Sequence, residues 1–395
     1  MTSTIMLETG PSGSYWTTST RMETFQLKVG NPMEKAQQSA SIADSEFLPE
    51  RLTVARERVG WTKAELADAC GVTRRTVSDW EAGRVVRPPV EQIADVLDFP
   101  VGFFGVEPVD QVDVEHVSFR ALTSLSAREL KSTIAAATIT GSLARWIDEN
   151  YATPEVDIPW LDQLIPPVSP GDPNPIQAAA SLRRIWNIGD RPIPNMMSLL
   201  ESRGVRIFSL SPDVREVDAF SLWLSERPTI FVNPDKSGER LRFDLAHELG
   251  HLVMHRAVVT AGRRECEISA NSFAGSFLMP AAKLMAIVGR NVSLTTVFEL
   301  KRLFRVSATS MVFRLHELKL INDWKYRNWM SDLSGRGFRR SEPDGIPSEK
   351  SELLTQIVRL AREDGLPIAR LADNLHIPAR DVRAALGGLT LVSMS

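Results

Sequence analysis

The stretch "LRFDLAHELGHLVMH" (residues 241–255) sets two histidines and a glutamate in an apolar frame of Phe243, Leu245, Leu249, Leu252 and Val253. That spacing predicts a helix with one buried side. Residues i and i+4 of a helix share a face, so His247 and His251 can aim ring nitrogens at one metal ion. Glu248 follows about 100° around the axis. It can hold and deprotonate a water at that ion without being a ligand. By chance, roughly one chain of this length in a hundred would carry such a string. Three features weigh against chance: the apolar frame, the strands upstream, and Gly250. A mid-helix glycine costs about 1 kcal/mol relative to alanine, which calls for a close neighbour at that point. His255, another turn on, would lie about 12 Å from His247 at 1.5 Å per residue. That is too far to share the ion, so His255 reads as capping or packing at the helix end.

A catalytic zinc site needs a third protein ligand and a position left for water. Downstream, "ECEISANSFAGSFLMP" (265–280) predicts a second helix from about 265 to 278, with Glu267, Ala270 and Asn271 on one face and Phe273, Ala274, Phe277 and Leu278 toward a core. Glu267 is the preferred third ligand, with Glu265 its main rival and Cys266 a weaker one. Asn271 can hydrogen-bond a ligating histidine from behind. Upstream, "GVRIFSL" (204–210), "DAFSLWLS" (218–225) and "TIFVN" (229–233) read as short strands, with "ERP" (226–228) as a hairpin turn.

The run "RFDLAHELGHLVMH" followed by "EISANSFAGSFLMP" resembles the ImmA/IrrE family of zincin-like metallopeptidases. The likeness extends upstream through "AAASLRRIWNIGDRPIPNMMSLLESRGVRIF" and "VDAFSLWLSERPTIFVNPDKSGERLRF" and covers about 176–285. It implies Zn2+ held by His247, His251 and Glu267, Glu248 as catalytic base, and peptide hydrolysis as the reaction. It also implies a cleft bordered by the strand 229–233, which could pair with an extended substrate peptide.

Nearer the N-terminus, "TKAELADACGVTRRTVSDWEAGR" (62–84) has the spacing of a helix-turn-helix. Leu66, Ala67 and Cys70 line a first helix, Gly71 makes the turn, and Val72, Val77 and Trp80 pack a second. Thr62 and Thr73 are candidate N-caps, and Glu65 completes a capping box. The second helix would present Arg74, Arg75, Thr76, Ser78 and Asp79 to the major groove of a double-stranded DNA operator. Residues 51–90 carry eight Arg or Lys and five Asp or Glu, net +3 in a chain of net −3, so phosphate contact is a local property. Segment 51–105 resembles the repressor-type (XRE, Cro-like) family, which implies a homodimer on a palindromic operator. Asp79 and Glu81 would weaken that contact.

The expected organisation is multidomain and mainly α. A disordered arm (1–45, with Met33 as an alternative start) precedes an all-α helix-turn-helix domain (46–107) and a helical connector and linker (108–175). An α+β zincin-like domain with a small sheet (176–290), a helical extension (291–330), a linker (331–350) and a helical C-terminal module (351–395) follow. Segments 300–321 and 368–389 also have helix-turn-helix spacing, but lack a basic face and read as packing or dimerisation elements. His116, His316 and His376 carry no assigned chemistry. Two cysteines, Cys70 and Cys266, are too few and too far apart to suggest a disulfide framework and fit a reducing cytoplasm. There is no apolar run long enough for a membrane.

These readings converge on a DNA-binding transcriptional regulator joined to a zinc endopeptidase that cleaves a regulatory protein, such as a repressor. The alternative is a non-catalytic regulator or antitoxin whose zinc domain senses a ligand or binds a partner.

Overall fold

The computed structural model describes residues 47–85, 87–105, 125–164, 174–211, 217–224, 226–255, 263–289, 291–338 and 342–391. The expected arm at 1–45 lies outside them, as do the links at 108–124 and 165–173.

The helix-turn-helix domain is α1 (Pro49–Arg58), α2 (Lys63–Cys70), α3 (Arg74–Glu81) and α4 (Val90–Leu97), closed by a 3-10 turn at Val101–Phe104. Thr62 caps α2 in a reciprocal capping box with Glu65, and Thr73 caps α3. Between them Gly71 takes the left-handed backbone (φ 68°), which glycine adopts without steric cost. Leu66, Val77 and Trp80 are buried in the domain's core.

A single helix, α5 (Ala127–Asn150), runs from this domain to the next, with the short α6 (Leu161–Leu164) after it. Then come α7 (Pro175–Ile185), α8 (Met196–Glu201), the strands β1 (Arg206–Ser209), β2 (Ala219–Leu224) and β3 (Arg227–Val232), and two long helices, α9 (Gly238–Met254) and α10 (Arg263–Leu278). The sheet order is β1-β3-β2, with β1 parallel and β2 antiparallel to β3. Arg227 and Pro228 belong to β3, opposite Leu224 and Trp223, so the turn is tighter than "ERP" suggested. Glu226 in that turn takes φ 65°. Helix α9 packs on β2 and β3 and pairs with α10.

One expectation is overturned here. The strand at 229–233 does not offer an edge to a peptide, because β3 is the middle strand and both its edges are already bonded. Among the described residues β2 is the outer strand on the side next to α9.

Helices α11 (Ala281–Ile287), α12 (Leu294–Phe304), α13 (Ala308–Glu317) and α14 (Asp323–Gly335) follow. The C-terminal module is α15 (Glu352–Glu363), α16 (Ile368–Asn374) and α17 (Ala379–Leu386). The expected linker at 331–350 is also corrected. Its first residues finish α14, and Glu349 is buried, receiving hydrogen bonds from the Met196 and Met197 amides (2.8 and 2.9 Å) and pairing with Arg242. This segment closes the start of α8 instead of tethering two bodies. No helix among the described residues is long and apolar enough to cross a membrane.

Candidate metal centre

Helix α9 starts at the Ser237 N-cap and runs 17 residues to a C-cap at His255. Its length brings His247 and His251 to the face turned toward α10. Gly250 shows why the two helices can approach so closely. A Cβ there would stand 3.1 Å from the Phe273 ring and 3.4 Å from Ala270 Cα, tighter than side chains normally pack.

Across this contact the donors converge. His247 Nε2 and His251 Nε2 are 3.1 Å apart, and each is 3.3 Å from a carboxylate oxygen of Glu267. One ligand atom from each residue lies within 4.8 Å of the others, and all three side chains are largely buried. Glu265 lies on the exposed side of α10, and Cys266 is only partly buried. Neither joins the cluster.

The chemistry of the donor set fits a borderline-soft divalent ion. His247 Nδ1 is 3.1 Å from Asn271 Oδ1. Because the amide oxygen only accepts, Nδ1 carries a hydrogen, and Nε2 is the nitrogen that faces the other two residues. Burial opposes charge on His247, but hydrogen bonding to Glu267 and the nearby Glu248 and Asp244 carboxylates outweigh it, so its pKa is raised. Burial likewise resists ionisation of Glu267, yet its contacts with both histidines hold the carboxyl well below the usual range. Both shifts favour positive charge between the two Nε2 atoms and the carboxylate, where a bound cation would take the place of a proton.

Glu248 is 3% exposed and accepts a 2.7 Å hydrogen bond from Ser221 Oγ on β2. The outer strand therefore holds one oxygen of this carboxylate. Sequence reasoning missed Ser221; its trace was a lone hydroxyl in the apolar run "AFSLWL" (219–224). It also missed the side-chain role of His255, whose Nδ1 lies 2.9 Å from His251 Nδ1 and whose Nε2 lies 3.0 Å from Ser269 Oγ. Burial and the adjacent His251 push the His255 pKa down to about 3, so the ring is neutral.

In the helix-turn-helix domain, Arg74 and Arg75 are exposed, while Thr76, Ser78 and Asp79 are half-buried. The two acids feared as repulsive are engaged. Asp79 pairs with Arg84 at 2.6 Å, and Glu81, nearly buried, pairs with Arg56 at 2.5 Å and Lys63 at 3.0 Å. Arg74 and Arg75 are left as the dominant charge at the start of α3.

Residues 200–316 match the family model of the IrrE N-terminal-like domain, and residues 48–103 match a helix-turn-helix domain. The chain thus carries a helix-turn-helix domain followed by an IrrE-like, metallopeptidase-type domain. No curated protein matches the chain.

Proposed function

We propose that this protein is a DNA-binding regulator whose IrrE-like domain is a zinc endopeptidase acting on a protein substrate. The observation that carries the reading is the convergence of His247, His251 and Glu267 on one point, with the carboxylate of the adjacent Glu248 acting electrostatically on His247 and held by Ser221. His247 and His251 would ligate through Nε2 and Glu267 through a carboxylate oxygen, the three-ligand set of a catalytic zinc site. When bound, zinc supplies Lewis acidity that polarises a scissile carbonyl and acidifies water. Glu248 would take a proton from the attacking water and return it to the leaving amine nitrogen. Ser221, by donating to one oxygen of that carboxylate, fixes its direction. An extended substrate would pair with the outer edge of β2, which stands next to α9. On the other domain, Arg74 and Arg75 would meet phosphates or base edges, with Thr76, Ser78 and Asp79 deeper along the same helix.

Burial of the cluster favours a second reading, in which the ion is structural or sensory and the output is transcription alone. Both readings are tested by zinc content and turnover measured together. Purified wild type, His247→Ala, Glu267→Ala and Glu248→Gln, made without histidine tags, are assayed by elemental mass spectrometry and against a fluorogenic peptide library. About one zinc per wild-type chain, lost in the first two variants and kept in Glu248→Gln, supports the three-ligand site. Cleavage lost in Glu248→Gln supports the peptidase. Zinc-loaded wild type that cleaves nothing, with Glu248→Gln regulating a reporter as well as wild type, favours the sensory role. Folded wild type that takes up no zinc sinks the metal reading.

A further inference from the structure

We infer that His255 is a positioning residue of the metal centre: through a one-way chain of hydrogen bonds ending on a backbone carbonyl, it holds His251 in the tautomer that ligates through Nε2. The inference rests on the metal reading above and adds how the second histidine is prepared for its ligand.

The direction of the chain follows from counting hydrogens. The Cys266 carbonyl can only accept, and Ser269 Oγ donates to it at 2.9 Å. Serine has a single hydroxyl hydrogen. Toward His255 Nε2, at 3.0 Å, Ser269 Oγ must therefore accept, so Nε2 carries the ring hydrogen. A neutral imidazole has one such hydrogen, which leaves His255 Nδ1 bare. That bare nitrogen lies 2.9 Å from His251 Nδ1, which must then be the donor. With the Nδ1 hydrogen committed there, Nε2 is the His251 nitrogen that faces His247 Nε2 and Glu267.

Two ligands are thus prepared by different means. His247 is set by the Asn271 amide, one contact away. His251 is set by a relay of two side chains that leaves α9 at its C-cap and returns on α10 at Cys266, the residue before Glu267. The relay also ties the last turn of one ligand-bearing helix to the backbone beside the ligand on the other. A fourth residue from 251, His255 is too distant to enter the cluster itself and does not.

The test uses the full chain labelled with 15N-histidine, free of zinc, at about pH 9, where ordinary imidazoles are neutral. Two-bond proton–nitrogen spectra report which ring nitrogen bears the hydrogen. Wild-type His251 should show the Nδ1–H form. In His255→Leu, which removes the acceptor, it should move to the Nε2–H form, while His247 stays Nδ1–H and serves as the control for intact folding. His255→Gln offers an amide oxygen as acceptor and should restore the wild-type spectrum. Zinc affinity, read by competition with a chromophoric chelator, should fall about 10- to 100-fold in the leucine variant and recover in the glutamine variant. An unchanged His251 tautomer in His255→Leu overturns the inference, as does unchanged zinc affinity. If the tautomers shift as expected but wild type binds no zinc, the metal reading fails and the positioning role falls with it. If wild type binds zinc but the tautomer does not shift, the metal reading stands and only the relay is lost.

Discussion

Glu248 and Ser221 separate catalysis from simple ion binding at the level of single side chains. Glu248→Gln keeps size and hydrogen bonding but cannot take a proton. If the site turns over, hydrolysis should fall by about 10²- to 10⁴-fold with zinc content unchanged. Ser221→Ala should give a smaller loss, since it frees the carboxylate's direction without removing its charge. Equal peptide cleavage in wild type and Glu248→Gln would remove the glutamate from the reaction. On the DNA side, Arg74→Ala and Arg75→Ala combined should weaken binding. If both contact phosphate, they should flatten the log–log salt dependence by up to about 2 units, from about 0.9 per neutralised phosphate; anisotropy titrations across salt concentrations would show it. An unchanged slope would move those arginines off the phosphate backbone. Some of this was legible in the sequence because it is local: the spacing of four between His247 and His251 fixes their shared face whatever surrounds the helix. Glu267 needed only one further helix face. Ser221 was not legible, since its contact 27 residues away depends on which strand lies outermost.

At the level of elements, buried carboxylates fasten pieces that the sequence shows as separate. Glu349 accepts from two amides at the start of α8 and pairs with the fully buried Arg242 of α9. Glu349→Ala would strand that guanidinium, which among the described residues keeps its carbonyl contacts to Ile193 and Arg305. The loss should be toward the lower end of roughly 3–5 kcal/mol, read as a drop in urea midpoint. A chain stopped at residue 330 should fail to fold for the same reason. An unaltered midpoint in Glu349→Ala would mean that the segment merely rests on the domain. Glu201 joins α8 to α15 through Ser351 and the Leu353 amide. Burial pushes its carboxyl from 4.5 up to about 7, against those hydrogen bonds. A carboxyl with a raised pKa binds more proton folded than unfolded, so its contribution to stability falls as pH rises from about 4.5 to about 7. The difference amounts to at most about 3 kcal/mol across that window. Asp244, also raised by burial to about 7, adds a dependence of the same sign. Glu201→Gln should therefore lessen the loss of stability between pH 5 and pH 8, and a profile as steep as wild type would count against the assignment. The stretch 331–350 looked like a linker because it is polar and contains glycine. What makes it structural is Glu349, whose partners lie 107 and 153 residues away.

Across the whole molecule, the C-terminal module ties the DNA-binding domain to the sheet. Helix α17 packs on α5 and β1, and its Asp381 pairs with Arg58 of α1 at 2.6 Å with both side chains nearly buried. Arg58 also reaches Ser211, just past β1. Arg380 pairs with Asp98 and covers the Phe99 ring. Gly102 completes the fit, because a Cβ there would stand 2.5 Å from the His376 ring. The helix-turn-helix spacing at 368–389 thus serves packing: α17, in the position of a recognition helix, is turned inward. Local periodicity could show the helices but not their destination, which rests on pairs separated by 323 and 282 residues. Asp381→Ala should leave Arg58 buried without its carboxylate and cost about 3 kcal/mol, while Arg58→Met with Asp381→Leu should recover most of the loss. Hydrogen exchange would locate the effect. Opening should increase along α1, α17 and the middle of α5, and the protection of α9 and α10 around the histidines should stay near wild type, as expected for sites without shared partners. Loosening that spreads into α9 and α10 would instead mean that the DNA-binding domain and the metal centre open as one unit, so that an operator gripping the first would alter the second.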